Sequence, residues 1–147
     1  RVVEERETRD GQLVEVSRNY FAISRRTGDV FYFGEEVDDY KDGKVAGHGG
    51  AWLSGVGGAC FGLIMPGRLL LGARYYQEIA PKVAMDRAEV VSLSEECATP
   101  AGRFANCLKT EETSAIERGR EYKFYAPGIG LIRDGDLQLT RYGYVSR

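Results

Sequence analysis

The sequence predicts an all-β, mainly antiparallel fold, either a barrel or a two-sheet sandwich, with little helix. Three observations predict it. Runs rich in β-branched and aromatic residues alternate with glycine-centred turns along the chain. Asp10-Gly11, Asp42-Gly43 and Asp134-Gly135 each lie between two such runs, and Asp-Gly is a strong hairpin signal because both residues tolerate positive φ. Glycine is abundant, at 19 residues, while proline numbers four. That balance suits tight turns and bulges rather than a disordered linker.

Taken in order, Val2 to Thr8 and Gln12 to Ser24 flank the first Asp-Gly pair as a hairpin. Thr27-Gly28-Asp29 turns the chain into the short β-rich run Val30 to Phe33. Val37 to Tyr40 and Val45 flank the second pair. Gly47-His48-Gly49-Gly50 and Gly55-Val56-Gly57-Gly58 bracket Ala51 to Ser54, a loop-rich stretch holding the single Trp. Gly62 to Pro66 reads as a short apolar segment ending at Pro66-Gly67. Arg74 to Ile79 reads as one strand that Pro81 ends or places on an edge. From Lys82 to Leu93 the pattern fits helix loosely, but a strand from Asp86 onward pairs naturally across a Pro100-Ala101-Gly102 turn with Phe104 to Thr110. Ser114 to Arg120 is a loop or one helical turn. Glu121 to Tyr125 is a strand, and Leu131 and Leu137 flank the last Asp-Gly hairpin. Eight to ten strands of ordinary length fill one domain spanning 1–147.

Composition narrows the function. Apolar residues make up 43% and the net charge is −2, so there is enough material for a core and no bias toward polyanions. Arg25-Arg26 is the densest basic spot, and nucleic-acid binding is not indicated. The longest apolar candidate, Cys60 to Leu71, is broken by Gly62, Pro66, Gly67 and Arg68 and falls short of the ~18 residues a span needs. The chain opens at Arg1 rather than Met and is read as an excised or processed domain, which leaves room for an export signal outside this sequence. No cofactor is indicated.

Several segments, in this order, resemble a group of largely uncharacterised bacterial envelope domains, many exported or lipid-anchored. They are Asp29-Val30-Phe31-Tyr32-Phe33-Gly34-Glu35, Ile64-Met65-Pro66-Gly67, Tyr76-Gln77-Glu78, Pro100-Ala101-Gly102-Arg103-Phe104 with Cys107-Leu108-Lys109-Thr110, and Glu121 to Gly130. The closing Tyr125-Ala126-Pro127-Gly128-Ile129-Gly130 is the most specific. The resemblance implies a β-rich fold and a place in the bacterial cell envelope or outside the cell. It implies no reaction. The chain departs from the group's pattern at Cys97 and at Cys60-Phe61.

No catalytic set or metal cage outweighs its ordinary explanation. Asp38-x-Tyr40-x-Asp42-Gly43 is faintly like a calcium loop, but Tyr40 takes a ligand position and Gly49 stands where the closing acid belongs. A solvated hairpin explains it better, although a calcium-stabilised structural domain is a rival. His48, the single histidine, reads as an exposed loop residue. Glu78 and Asp86, close to Pro81, are the carboxylate pair an enzyme would use, alone or with Tyr hydroxyls in a barrel pocket. Cys97 and Cys107 flank the Pro100-Gly102 turn and are either a cross-strand disulfide or two ordinary half-buried thiols. The aromatic surplus points to binding, because adjacent rings put one on each strand face and only one face is core. Tyr32, Trp52, Tyr76, Glu78 and Tyr125 are the expected binding residues. The leading reading is a non-catalytic domain that binds a small apolar molecule or a protein partner.

Overall fold

The structure, a computed structural model, describes residues 1–144; the last three residues of the expected 1–147 domain lie outside the described residues. The described residues form thirteen strands and contain no helix. They are β1 (Val2–Arg9), β2 (Gln12–Ile23), β3 (Val30–Lys41), β4 (Lys44–Gly47), β5 (Trp52–Leu53), β6 (Cys60–Met65), β7 (Arg74–Tyr76), β8 (Glu78–Ile79), β9 (Asp86–Thr99), β10 (Gly102–Ser114), β11 (Glu121–Ala126), β12 (Gly130–Asp134) and β13 (Leu137–Gln138). Two antiparallel sheets result, and neither closes into a barrel. One has the order β1-β2-β3-β6-β8, with β4 and β5 also paired to β3; the other runs β13-β12-β11-β10-β9-β7.

The Asp-Gly corners behave as their chemistry dictates. Asp10 and Gly11, at φ 52 and 77, join β1 to β2, and Asp42 and Gly43, at φ 52 and 73, join β3 to β4. Both residues left-handed is the two-residue hairpin geometry that matches strand twist. Asp134 pairs with Leu137, so the last corner is Gly135-Asp136. Pro100 and Ala101 make the two-residue turn between β9 and β10.

The strand total exceeds the eight to ten expected, because short pieces share the edge of one long strand. β3 pairs β4 at Lys41↔Lys44, β5 at Glu35↔Trp52 and β6 at Tyr32↔Gly62. The glycine-rich stretch supplies the doubling back this needs. Arg74 to Ile79 is not one strand: β7 and β8 belong to different sheets, with Gln77 between them donating its N–H to the Asp86 carbonyl at 2.8 Å. Residues 115–117 are bends and 118–120 are irregular, so no helical turn forms between β10 and β11.

The chain divides into two compact units. The first comprises Arg1–Arg68, Tyr75–Arg87 and Ser114–Ile116; the second comprises Leu69–Arg74, Ala88–Thr113 and Glu117 onward. In the first, Tyr32, Trp52, Ala59 and Ala80 form the buried cluster, with Phe21, Ile64 and Ala84 against it. In the second, Cys107, Ala126 and Ile132 are buried together, flanked by Cys97, Phe104, Phe124, Ile129 and Leu139.

Candidate functional site

A bulge sets the site in the first unit. Between Tyr20↔Gly34 and Phe21↔Tyr32 the register slips by one, leaving Phe33 as the extra residue. The slip puts Tyr32 and Glu35 on one face despite their odd spacing. Gly34, at φ 138, is required there, because a Cβ would strike the Trp52 carbonyl and the Leu53 Cα. On this inner face Tyr32 stacks on Phe21 at 5.0 Å and meets Trp52 edge-on at 5.2 Å. Its hydroxyl donates to Asn19 Oδ1 at 2.5 Å, and Asn19 Nδ2 donates to Ser17 Oγ at 3.3 Å. Burial, then the neighbouring Glu35, holds the Tyr32 hydroxyl far above its ordinary pKa. Burial likewise raises the Glu35 carboxyl; the neighbouring Tyr32 hydroxyl offsets part of this, and Glu15, Glu5 and Asp86 add to it.

Trp52 also floors an apolar cleft of about 190 Å³. Ala59 and Ala80 complete the floor, and Val56, Pro81 and Val83 form the walls. Two tight turns build those walls. Val56 N–H bonds the Leu53 carbonyl at 3.1 Å and Ala59 N–H the Val56 carbonyl at 3.0 Å. Val83 N–H bonds the Ala80 carbonyl at 2.9 Å, with Lys82 at φ 69. Each turn leaves its valine out in solvent, Val56 at 63% exposure and Val83 at 41%. Trp52 itself is 6% exposed, and its indole N–H, fully buried, has no hydrogen-bond partner. Buried donors are almost always paired, so an unpaired one beside an apolar cleft calls for an explanation.

The outer face of the same strands carries a second apolar feature. Phe33 stacks on Phe61 at 4.7 Å, and Phe31 meets Phe61 edge-on at 5.8 Å. Phe61 is 48% exposed.

Of the five residues expected to bind, Tyr32 and Trp52 come together. Glu78 is buried beside them in β8, close enough for its charge to raise the Tyr32 pKa further. Its Oε1 accepts the Asp86 backbone N–H at 2.6 Å. This contact joins the Glu78 carboxylate to the Asp86 main chain, which is a structural hydrogen bond and not the pair of carboxylates considered from sequence. Tyr76 stands exposed on β7 with the Arg87 guanidinium 6.0 Å from its ring centre. Tyr125 lies half-buried in β11 of the second unit, paired with Leu108 and Leu131. Glu35, Val56, Phe61 and Val83 were missed. Only the alternation of Phe31 and Phe33 on one strand face hinted at an outer aromatic set.

The remaining polar clusters have local partners. Asp38 holds Arg18 at 3.2 Å and His48 at 3.2 Å, and Asp39 accepts the Gly49 N–H at 2.7 Å. His48 Nδ1 also lies 2.8 Å from the Val37 carbonyl. Among the described residues no group of three or more His, Cys, Asp or Glu is placed to hold a metal ion. No helix of the described residues is long and apolar enough to cross a membrane. In the second unit an open groove of about 480 Å³ runs past Lys109, Tyr122 and Phe124. The Lys109 ammonium sits 4.3 Å from the Tyr122 ring centre, and the Arg133 guanidinium 5.3 Å from that of Phe124. Arg120 is already paired with Glu111 at 3.1 Å, and Glu121 and Asp136 line the same groove. Its positive and negative groups balance, so it selects for neither sign of ligand.

No family model, curated protein or solved structure matches this chain.

Proposed function

We propose that this chain is a non-catalytic binding module of the bacterial envelope, and that the cleft over Trp52 takes one apolar group of its ligand. The observation that carries the reading is the pair of outward-pointing valines, Val56 and Val83, standing over a floor of Trp52, Ala59 and Ala80. Isolated exposed valines are unremarkable, but valines framing a buried indole form a continuous apolar depression. At about 190 Å³ the cleft is smaller than the roughly 300–1,000 Å³ that encloses a whole small molecule. It suits the end of an alkyl chain or a single apolar side chain of a protein partner. The envelope location rests on the sequence resemblance alone.

Trp52 is the only tryptophan, so its emission reports on the cleft directly. Titration with 1-octanol is expected to shift and saturate that emission, and Val83→Asp is expected to abolish the response without unfolding the chain. An unresponsive emission, or one that responds equally in Val83→Asp, refutes the reading.

One observation favours a second reading, an enzyme that uses Glu35 and Tyr32. Glu35 is a half-buried carboxyl with a raised pKa beside a buried phenol, which is a pattern of acid–base sites. Against it, the same burial makes the phenol a poor proton donor near neutral pH. This reading predicts that Glu35→Gln removes an activity while leaving the octanol response intact.

A further inference from the structure

The second unit holds two thiols that the binding reading leaves unused. Cys97 lies on β9 and Cys107 on β10, neighbouring strands joined by the Pro100-Ala101 turn. Register brings both into one cluster. Phe104 points inward, Ala105 and Asn106 are exposed, and Cys107 is inward again. Asn106 sits at φ 55, a left-handed residue inside a strand, which rotates the following residues by half a period. Without that irregularity Cys107 would face outward whenever Phe104 faces inward. As built, Cys97 packs into the cluster around Cys107, and the two thiols are within hydrogen-bonding reach. Cys107 Sγ also donates to the Phe104 carbonyl at 3.6 Å. Both are free thiols, as is Cys60, which is exposed on β6.

We propose that Cys97 and Cys107 are a dithiol couple that closes to a cross-strand disulfide by exchange with a small disulfide such as oxidised glutathione. Cys97 is half-buried and Cys107 fully buried, so Cys97 reacts first. Its thiolate attacks one sulfur of the external disulfide. That S–S bond breaks, one glutathione leaves as thiolate, and a mixed disulfide stands at Cys97. Cys107 then gives its proton to solvent and attacks the Cys97 sulfur, expelling the second glutathione thiolate. Two protein thiols are oxidised and one glutathione disulfide is reduced to two thiols. Burial, then the Cys97 sulfur beside it, pushes the Cys107 thiol up to about 11. In the mixed disulfide Cys97 no longer ionises, but the burial that is the first cause of the upward shift remains, so closure is slow at neutral pH and accelerates as pH rises, in step with the Cys107 thiolate fraction.

The test treats the folded full chain with oxidised glutathione, quenches in acid, alkylates under denaturing conditions and maps the peptides by mass spectrometry. The expected product links the Cys97 and Cys107 peptides and leaves Cys60 separate, alkylated or singly glutathionylated. Cys107→Ser is expected to stop at one glutathione on Cys97. Cys107→Ala serves if the buried hydroxyl prevents folding. On the mixed disulfide, prepared at low pH, closure is expected to quicken about tenfold per pH unit between 7 and 9. Three separately alkylated cysteines, a link through Cys60, or closure independent of pH would each overturn the proposal.

Discussion

Replacing Lys123 by Met should be among the most damaging single changes outside the apolar clusters. Lys123, on β11, holds Glu112 of β10 at 3.1 Å and Asp134 of β12 at 3.4 Å, so one cation joins three adjacent strands. The Glu112 side chain is 9% exposed. Burial alone lowers the lysine pKa, but Glu112 and then Asp134 outweigh it, and the net shift is upward. Methionine keeps the stem and removes the charge, leaving the Glu112 carboxylate without this cation. Breaking a buried pair from one side costs about 3–5 kcal/mol. The Lys123 side chain is 25% exposed and that of Asp134 30%, so water recovers part, and the lower end, about 3 kcal/mol, is expected. With a urea slope of about 2 kcal/mol/M, the unfolding midpoint should fall by about 1.5 M. The double variant Glu112→Met, Lys123→Met should regain more than half of that loss, because no charge is then left buried. A pKa raised in the folded state means the lysine's contribution is complete below its unfolded value of 10.5. The gap between wild type and Lys123→Met should thus hold steady from pH 7 to 10 and narrow only above. A single variant within about 0.5 kcal/mol of wild type, or a double no better than the single, would refute the reasoning.

Three further outcomes follow from the same geometry. Gly62→Ala should prevent folding of the first unit, because a Cβ there collides with the Gln77 and Tyr76 carbonyls where β6 passes them; soluble yield and circular dichroism check it. Glu35→Gln should raise the melting temperature at pH 7 and make no difference well below the ordinary carboxylate value of 4.5. A carboxyl whose folded pKa is raised loses stability as pH rises above 4.5, and the amide removes that loss. Calcium and chelator should leave the melting temperature unchanged, since Asp38 and Asp39 are engaged by Arg18, His48 and the Gly49 amide; a calcium-dependent rise would revive the calcium-stabilised reading.

The strand pattern was legible where local chemistry decides it. Asp10-Gly11 and Asp42-Gly43 specify their turns through backbone conformation alone, and the Pro100 turn fixes where β9 ends and β10 begins. What alternation could not reveal was each place where the period slips. Phe33 is extra in its pairing, so Tyr32 and Glu35 share a face that strict alternation assigns to opposite sides. Asn106 does the same for Phe104 and Cys107. The split of Arg74 to Ile79 between two sheets was likewise hidden, because both halves have strand composition and only tertiary pairing separates them. The cleft escaped notice for a related reason. Val56 and Val83 come from tight turns in glycine-rich and proline-containing stretches, where no periodicity marks which side chains will project.

The single indole N–H gives the most direct test. In a ¹⁵N-labelled sample the Trp52 side chain contributes one cross-peak, and the account predicts that 1-octanol moves it saturably, together with the Val56 and Val83 amides. An indole peak that stays fixed while resonances elsewhere move would place apolar binding away from Trp52 and contradict the account.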